Sequence, residues 1–186
     1  FKLLFLLFPF SINETFFNEI NEKTSYWIGF IWATIKDCKY NKISLLSKKE
    51  LLDRFNIELD SNYPVKKSTN NKYMVRITSS QLLNKLTDIG LKSNPYLEFP
   101  EIPQLYYKDF VRGYFDSDNG FHYKDDGKNI VSLHGKSSKL MRSISDFLKS
   151  NLVSNKGEWV SISLNFELND GIPKLEEKWI KFNQDV

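Results

Sequence analysis

One cysteine, two methionines, two histidines, a single alanine (Ala33) and four arginines are found in a chain of 186 residues. With Cys38 alone there is neither an internal disulfide nor a cysteine-rich zinc site, and a reducing compartment suits the chain better than secretion. His122 and His134, without cysteine partners, form no zinc-binding set and read as strand or surface residues. Long hydrophobic runs are scarce. The first ten residues, FKLLFLLFPF, fall short of the roughly 20 apolar residues a helix needs to cross a hydrocarbon layer. No small-residue cleavage site follows them, so residues 1–12 read as an apolar arm that is buried or docks onto a protein partner, with a remnant targeting or membrane segment as the alternative. There is no membrane span, no glycine-rich loop to cradle a phosphate, and no serine or cysteine in a nucleophile context.

What is present suits a folded domain. Apolar residues make up 41% of the chain, enough for a core, and 26% are charged, an ordinary solvated exterior that argues against extended disorder. Net charge is only +3, which permits nucleic-acid binding without requiring it. The 22 lysines, 17 asparagines, 15 isoleucines and 15 phenylalanines are residues of AT-rich codons. That bias points to an AT-rich genome such as that of a mitochondrion or another organelle, and it discounts the lysine total as a sign of nucleic-acid contact.

Two hydrophobic helix patterns carry a glycine at their middle: Tyr26-Trp27-Ile28-Gly29-Phe30-Ile31-Trp32-Ala33-Thr34, and the segment from Asp109 to Asp118 around Gly113. In each, a second small residue follows by four, Ala33 after Gly29 and Ser117 after Gly113, on the same helix face. A mid-helix glycine costs roughly 1 kcal/mol relative to alanine, so its use in both helices predicts that two backbones approach closely there.

The order of features after each glycine repeats. Ile43-Ser44-Leu45 is followed by a helix opened by Ser47 and Glu50 as a capping box, with Leu51, Leu52, Phe55 and Leu59 as its buried stripe. Val131-Ser132-Leu133 is followed by a helix near Ser137 with Leu140, Met141, Ile144, Phe147 and Leu148. This is an internal duplication, with the shorter hairpin in the first copy. Lys72–Thr78 alternates as a strand, with Tyr73, Val75 and Ile77 on one face and Lys72, Met74 and Arg76 on the other. Thr78 and Gln81 can cap a helix carrying Leu82, Leu83, Leu86 and Ile89, which Gly90 is placed to end. Trp159–Leu168 alternates in the second copy and Asn169-Asp170-Gly171 closes a hairpin. A proline-bearing but apolar linker, Ser93–Gln104, joins the copies too tightly to be a loose tether.

The residues GYFDSDNG preceded by FVR, and YWIGFIWAT preceded by FFNEINEKTS, resemble the paired signature helices of LAGLIDADG homing endonucleases, over roughly Asn13–Leu168. The second motif is specific and the first degenerate. The resemblance implies an α+β, pseudo-twofold duplicated αββαββα fold with two central packed helices and two antiparallel sheets. Residues 13–98 would form the first half and 99–186 the second, without its last helix. It also implies that Gly29, Ala33, Gly113 and Ser117 pack the helices, and that an acid at the end of each holds Mg²⁺ over a scissile phosphate, activating water and stabilising the leaving oxygen.

Carried over by position, Asp118 is the catalytic, metal-binding carboxylate of the second motif, whereas Thr34 occupies the matching place in the first and cannot supply an anionic ligand. Trp32 likewise stands at the position of Asp116, and Asp37 lies three residues past Thr34. The bland reading of Asp118 is an acid at a helix-to-strand corner. A calcium loop over Asp116–Gly127 fails, because Phe121 and Gly127 replace its essential glycine and glutamate. Nucleic-acid contacts are expected on the non-core strand faces: Lys66 or Lys67, Lys72, Arg76, His122, Lys124, Ser132, His134, Ser161, Ser163 and Asn165. The expectation is a nucleic-acid-binding protein with a damaged endonuclease site, giving weak nicking or no cleavage. The alternatives are a domesticated RNA-binding protein, maturase-like or part of an organellar ribonucleoprotein, and a protein-interaction module built on the apolar arm.

Overall fold

Asn21 opens the first helix, α1 (Glu22–Thr34): its side chain accepts the Thr24 N–H at 3.0 Å, while Thr24 Oγ1 accepts the Asn21 N–H at 2.8 Å. This reciprocal box satisfies two donors that a helix start leaves without intrahelical partners. Every residue from Thr24 to Thr34 is buried, so α1 is a core element with no solvent face. The computed structural model describes residues 9–69, 71–92, 97–117, 130–148, 151–156 and 159–165.

After α1 come β1 (Ile35–Lys39), β2 (Lys42–Ser47), α2 (Lys49–Glu58), β3 (Lys66–Lys67), β4 (Tyr73–Thr78) and α3 (Ser80–Asp88). The second series is α4 (Tyr107–Asp116), β5 (Ile130–Gly135), α5 (Ser138–Phe147), β6 (Asn151–Lys156) and β7 (Trp159–Asn165). The first sheet runs β1-β2-β4-β3 and the second β5-β7-β6, antiparallel throughout. Matching β2 with β5, β4 with β7 and β3 with β6 superimposes the two orders. The register follows: Ser44 opposite Arg76 corresponds to Ser132 opposite Ser163, and Leu45 opposite Val75 to Leu133 opposite Ile162. The segment corresponding to β1, and the Asn169–Gly171 turn, lie outside the described residues.

α1 packs on α4, the principal helix–helix contact among the described residues. Ile43, Leu45, Val75 and Ile77 form the core face of the first sheet, closed by Leu52, Phe55, Leu82 and Leu86. The linker is structural: Leu97 and Ile102 are buried, Phe99 packs on Tyr107 and Phe110, and the Trp32 indole N–H donates to the Glu98 carbonyl at 2.9 Å. Gly90, at φ +105°, ends α3 with the Leu91 N–H on the Leu86 carbonyl and its own N–H on that of Thr87, a Schellman closure.

Four local readings change. Ser47 is the last residue of β2, and α2 starts from Lys48 without a side-chain cap. Thr78 ends β4, and it is Ser79 whose hydroxyl accepts the Leu82 N–H at 3.1 Å. In both cases extending the strand by one residue keeps the pairs Ser47–Tyr73 and Lys42–Thr78, and this outweighs the earlier cap. Met74, assigned outward by alternation, is buried, and Phe147 is more than a third exposed at the end of α5. The strand β6, with no alternating pattern in NLVSNK, had no sequence signal. Of the N-terminal arm, the described residues lie on this chain: Phe10 stacks on Tyr63, Ser11 exchanges hydrogen bonds with Asn62, and Ile12 packs against the core.

Candidate catalytic position and nucleic-acid interface

The two central helices touch at their glycines. A Cβ added at Gly29 would lie 1.9 Å from the Phe110 carbonyl oxygen and 2.8 Å from the Tyr114 nitrogen. One added at Gly113 would lie 1.8 Å from the Tyr26 carbonyl oxygen and 3.0 Å from the Phe30 nitrogen. Phe110 and Tyr114 sit three before and one after Gly113, and Tyr26 and Phe30 sit the same way about Gly29. Such a reciprocal contact is what an approximate twofold axis produces. Ala33 is buried in the same core, and Ser117, at the C-cap of α4, donates to the Tyr114 carbonyl at 2.6 Å.

The same symmetry relates two unlike pairs. Tyr26 donates its hydroxyl to Asp116 Oδ2 at 3.1 Å, and the symmetry-matched residues, Phe110 and Trp32, form an edge-to-face aromatic pair at 6.2 Å. Trp32 thus fills with apolar surface the place of an acid, and its N–H finds a carbonyl in the linker. Burial, aided by the Asp116 carboxylate, holds the Tyr26 phenol protonated well above its usual range. Burial alone does the same for Tyr114, whose hydroxyl donates to the His134 carbonyl at 3.3 Å.

At the end of α1, Thr34 is 3% exposed and donates its hydroxyl back to the Phe30 carbonyl at 2.7 Å. Asp37 stands in β1, past that end, and its Oδ1 accepts the Ser44 hydroxyl at 3.0 Å. Asp118 lies outside the described residues, as do His122 and Lys124. Among the described residues no three histidine, cysteine or acidic side chains gather as a metal site. Thr34 by itself does not fit a divalent cation, because its donor is a neutral hydroxyl already engaged with backbone. Instead a cavity of about 320 Å³ opens beside Thr34, lined by Lys36, Lys72, His134 and Lys136 together with Leu46 and Tyr114.

The sheet faces sort the other candidates. Cross-strand pairing puts Lys42, Ser44, Lys66, Met74, Arg76 and Thr78 on the face opposite the Ile43–Val75 core face. Lys66 therefore shares a face with Arg76, while Lys67, opposite Tyr73, falls on the alternate register position of a two-residue edge strand. Lys72 lies just outside β4, at the cavity beside Thr34. In the second sheet Ser132 pairs with Ser163, His134 with Ser161 and Ile130 with Asn165, so Ser132, His134, Ser161, Ser163 and Asn165 share one face. Lys36, at the β1 bulge, carried no pattern signal, nor did the Phe10–Tyr63 stack, which brings together residues 53 apart.

No family model matches the sequence, and no curated protein matches it. Solved structures do. The homing endonuclease I-WcaI bound to its DNA recognition sequence aligns over 82% of this chain and 80% of its own, with a TM-score of 0.54 and 14% identity. Variants of the homing endonuclease I-DmoI align over 76% of this chain and 88% of theirs, with a TM-score of 0.51 and 13% identity. The I-SmaMI LAGLIDADG homing endonuclease bound to cleaved DNA aligns over 78% of each chain, at 0.48 and 16%. This chain has the LAGLIDADG homing endonuclease fold. Within it, α1 and α4 are the two central packed helices, and the αββαββα order is complete from α1 to α3. No helix among the described residues is long and apolar enough to cross a membrane.

Proposed function

We propose that this chain is a nucleic-acid-binding protein derived from a LAGLIDADG homing endonuclease, with one of two catalytic carboxylates lost, so that it nicks weakly or does not cleave. The observation that carries the reading is Thr34: it ends a signature helix packed glycine-to-backbone on its partner, and its hydroxyl is turned back onto Phe30. A neutral side chain so engaged offers no charge to hold a cation over phosphate. Support for binding comes from the fold, shared with I-WcaI bound to its DNA recognition sequence, and from the cations on the outer face of the first sheet. Without metal, a lysine such as Lys36 would neutralise a backbone phosphate directly, which binds but does not activate water.

Incubation with supercoiled DNA carrying the target sequence, in Mg²⁺ or Mn²⁺, tests the reading. The expected product is intact or slowly nicked circle, and robust double-strand cleavage would show that the catalytic pair lies elsewhere. The AT-rich codon bias supports action inside an organelle, where nucleic acid recovered with the native protein identifies the target as DNA or RNA.

A further inference from the structure

A second cavity, of about 430 Å³, lies on the outer face of the first sheet and shares Lys36 with the one beside Thr34; its volume is within the range of roughly 300–1,000 Å³ common to small-ligand sites. Phe10, Lys36, Tyr63, Lys66, Met74 and Arg76 line it, and no acidic residue does so among the described residues. Asp37, the acid on that face of β1, is occupied by the Ser44 hydroxyl. Phe10 is 60% exposed, yet it is held: its ring stacks on Tyr63 at 5.2 Å and 27°, and the next residue, Ser11, is pinned to Asn62, its N–H donating to the Asn62 side-chain oxygen and its carbonyl accepting the Asn62 backbone N–H. Tyr63 in turn is buried and donates to the Thr78 carbonyl at 2.6 Å. An exposed aromatic ring anchored on a rigid, buried one, beside an apolar thioether and several cations, is a stacking platform with a place for a phosphate.

We infer that this cavity takes one unstacked nucleotide of a single strand, its base against Phe10 and Met74 and its phosphate on Lys66 and Arg76. The inference rests on the nucleic-acid-binding reading and narrows it. A duplex keeps its bases stacked inside and presents only edges and phosphates to a sheet, so it cannot enter a concave aromatic pocket. An unpaired base exposes a π-face, and stacking on an aromatic side chain tolerates any sequence. Charge complementarity selects the polyanion over other flat ligands.

Binding of the full chain to a labelled single-stranded oligoribonucleotide, its deoxyribose equivalent and the matching duplex, at one salt concentration, tests this. Phe10→Ala is expected to weaken single-strand binding about tenfold and duplex binding less than twofold, with Phe10→Trp restoring it. Ile57→Ala, an exposed apolar residue on α2 outside the cavity, serves as the control. The ratio of the two single-strand affinities assigns the source as RNA or DNA, and either supports the pocket. Unchanged single-strand binding by Phe10→Ala, with duplex binding intact, overturns the pocket and leaves the broader function standing. Failure of the wild-type chain to bind any of the three overturns both.

Discussion

Replacing Gly29 with alanine sets two known effects against each other. Alanine favours a helix over glycine by roughly 1 kcal/mol, so an exposed mid-helix site would gain stability. Here the new Cβ would meet the Phe110 carbonyl at 1.9 Å and the Tyr114 nitrogen at 2.8 Å, both backbone atoms that no rotamer change can move. Reaching even a 3.0 Å contact requires the helices to part by about 1.1 Å at that point, which forfeits dispersion contacts along the buried faces of Trp32 and Phe110. A backbone clash this close belongs at or above the usual overpacking ceiling of about 3 kcal/mol, leaving a net loss of about 2 kcal/mol or more after the helix gain. For a chain of this length that is a fall in Tm of roughly 4–8 °C. Thermal and urea unfolding followed by circular dichroism measure it, with Gly113→Ala expected to match within error because its contacts are the same by symmetry. A Gly29→Ala protein as stable as wild type would refute the close backbone approach, and with it the pseudo-twofold reading of the helix pair.

Other perturbations follow from the polar groups around that pair. Tyr26→Phe removes a donor to Asp116 and is expected to cost about 1–3 kcal/mol at neutral pH by denaturant unfolding, because a buried acceptor loses a hydrogen bond. The phenol's raised folded pKa means that Tyr26 contributes its full stability below the usual tyrosine range near 10 and loses it as pH climbs toward the higher folded value. The alkaline limb of the stability profile should therefore be shallower in Tyr26→Phe. Asp109 is 7% exposed with no hydrogen-bond partner on Oδ2 among the described residues, and burial raises its pKa. It follows that its charged form opposes folding, stability is lost as pH rises through the folded pKa, and Asp109→Asn should stabilise the protein at pH 7 with the gain vanishing in acid. Ser79→Ala should cost about 1 kcal/mol through loss of the α3 cap, and Thr78→Ala should leave the cap intact, an ordering that unfolding midpoints resolve.

The parts legible in the sequence share a physical origin: they are set by local spacing. Gly29 with Ala33, and Gly113 with Ser117, announce a flat helix face because residues four apart must share one. The Leu51–Leu59 stripe and the Val75–Ile77 alternation announce buried faces for the same kind of reason. Cap identity was harder, since Ser47 and Thr78 are good caps in isolation, and only cross-strand pairing with Tyr73 and Lys42 keeps them in strands. β6 escaped because its strand state comes from pairing with β7 rather than from its own pattern.

By itself, then, the sequence determined the duplication, the glycine-bearing helices and the absence of an acid at Thr34, all matters of residue type at fixed intervals along the chain. Tertiary structure alone decided what meets across those intervals. It put Tyr26 on Asp116 where the symmetric place holds Trp32 on Phe110, turned Asp37 to Ser44, and laid Phe10 on Tyr63 above Arg76. The reason is that short-range propensity acts over a helical turn or a strand repeat, whereas these contacts join residues many positions apart. Their partners exist only once the core has closed around α1 and α4.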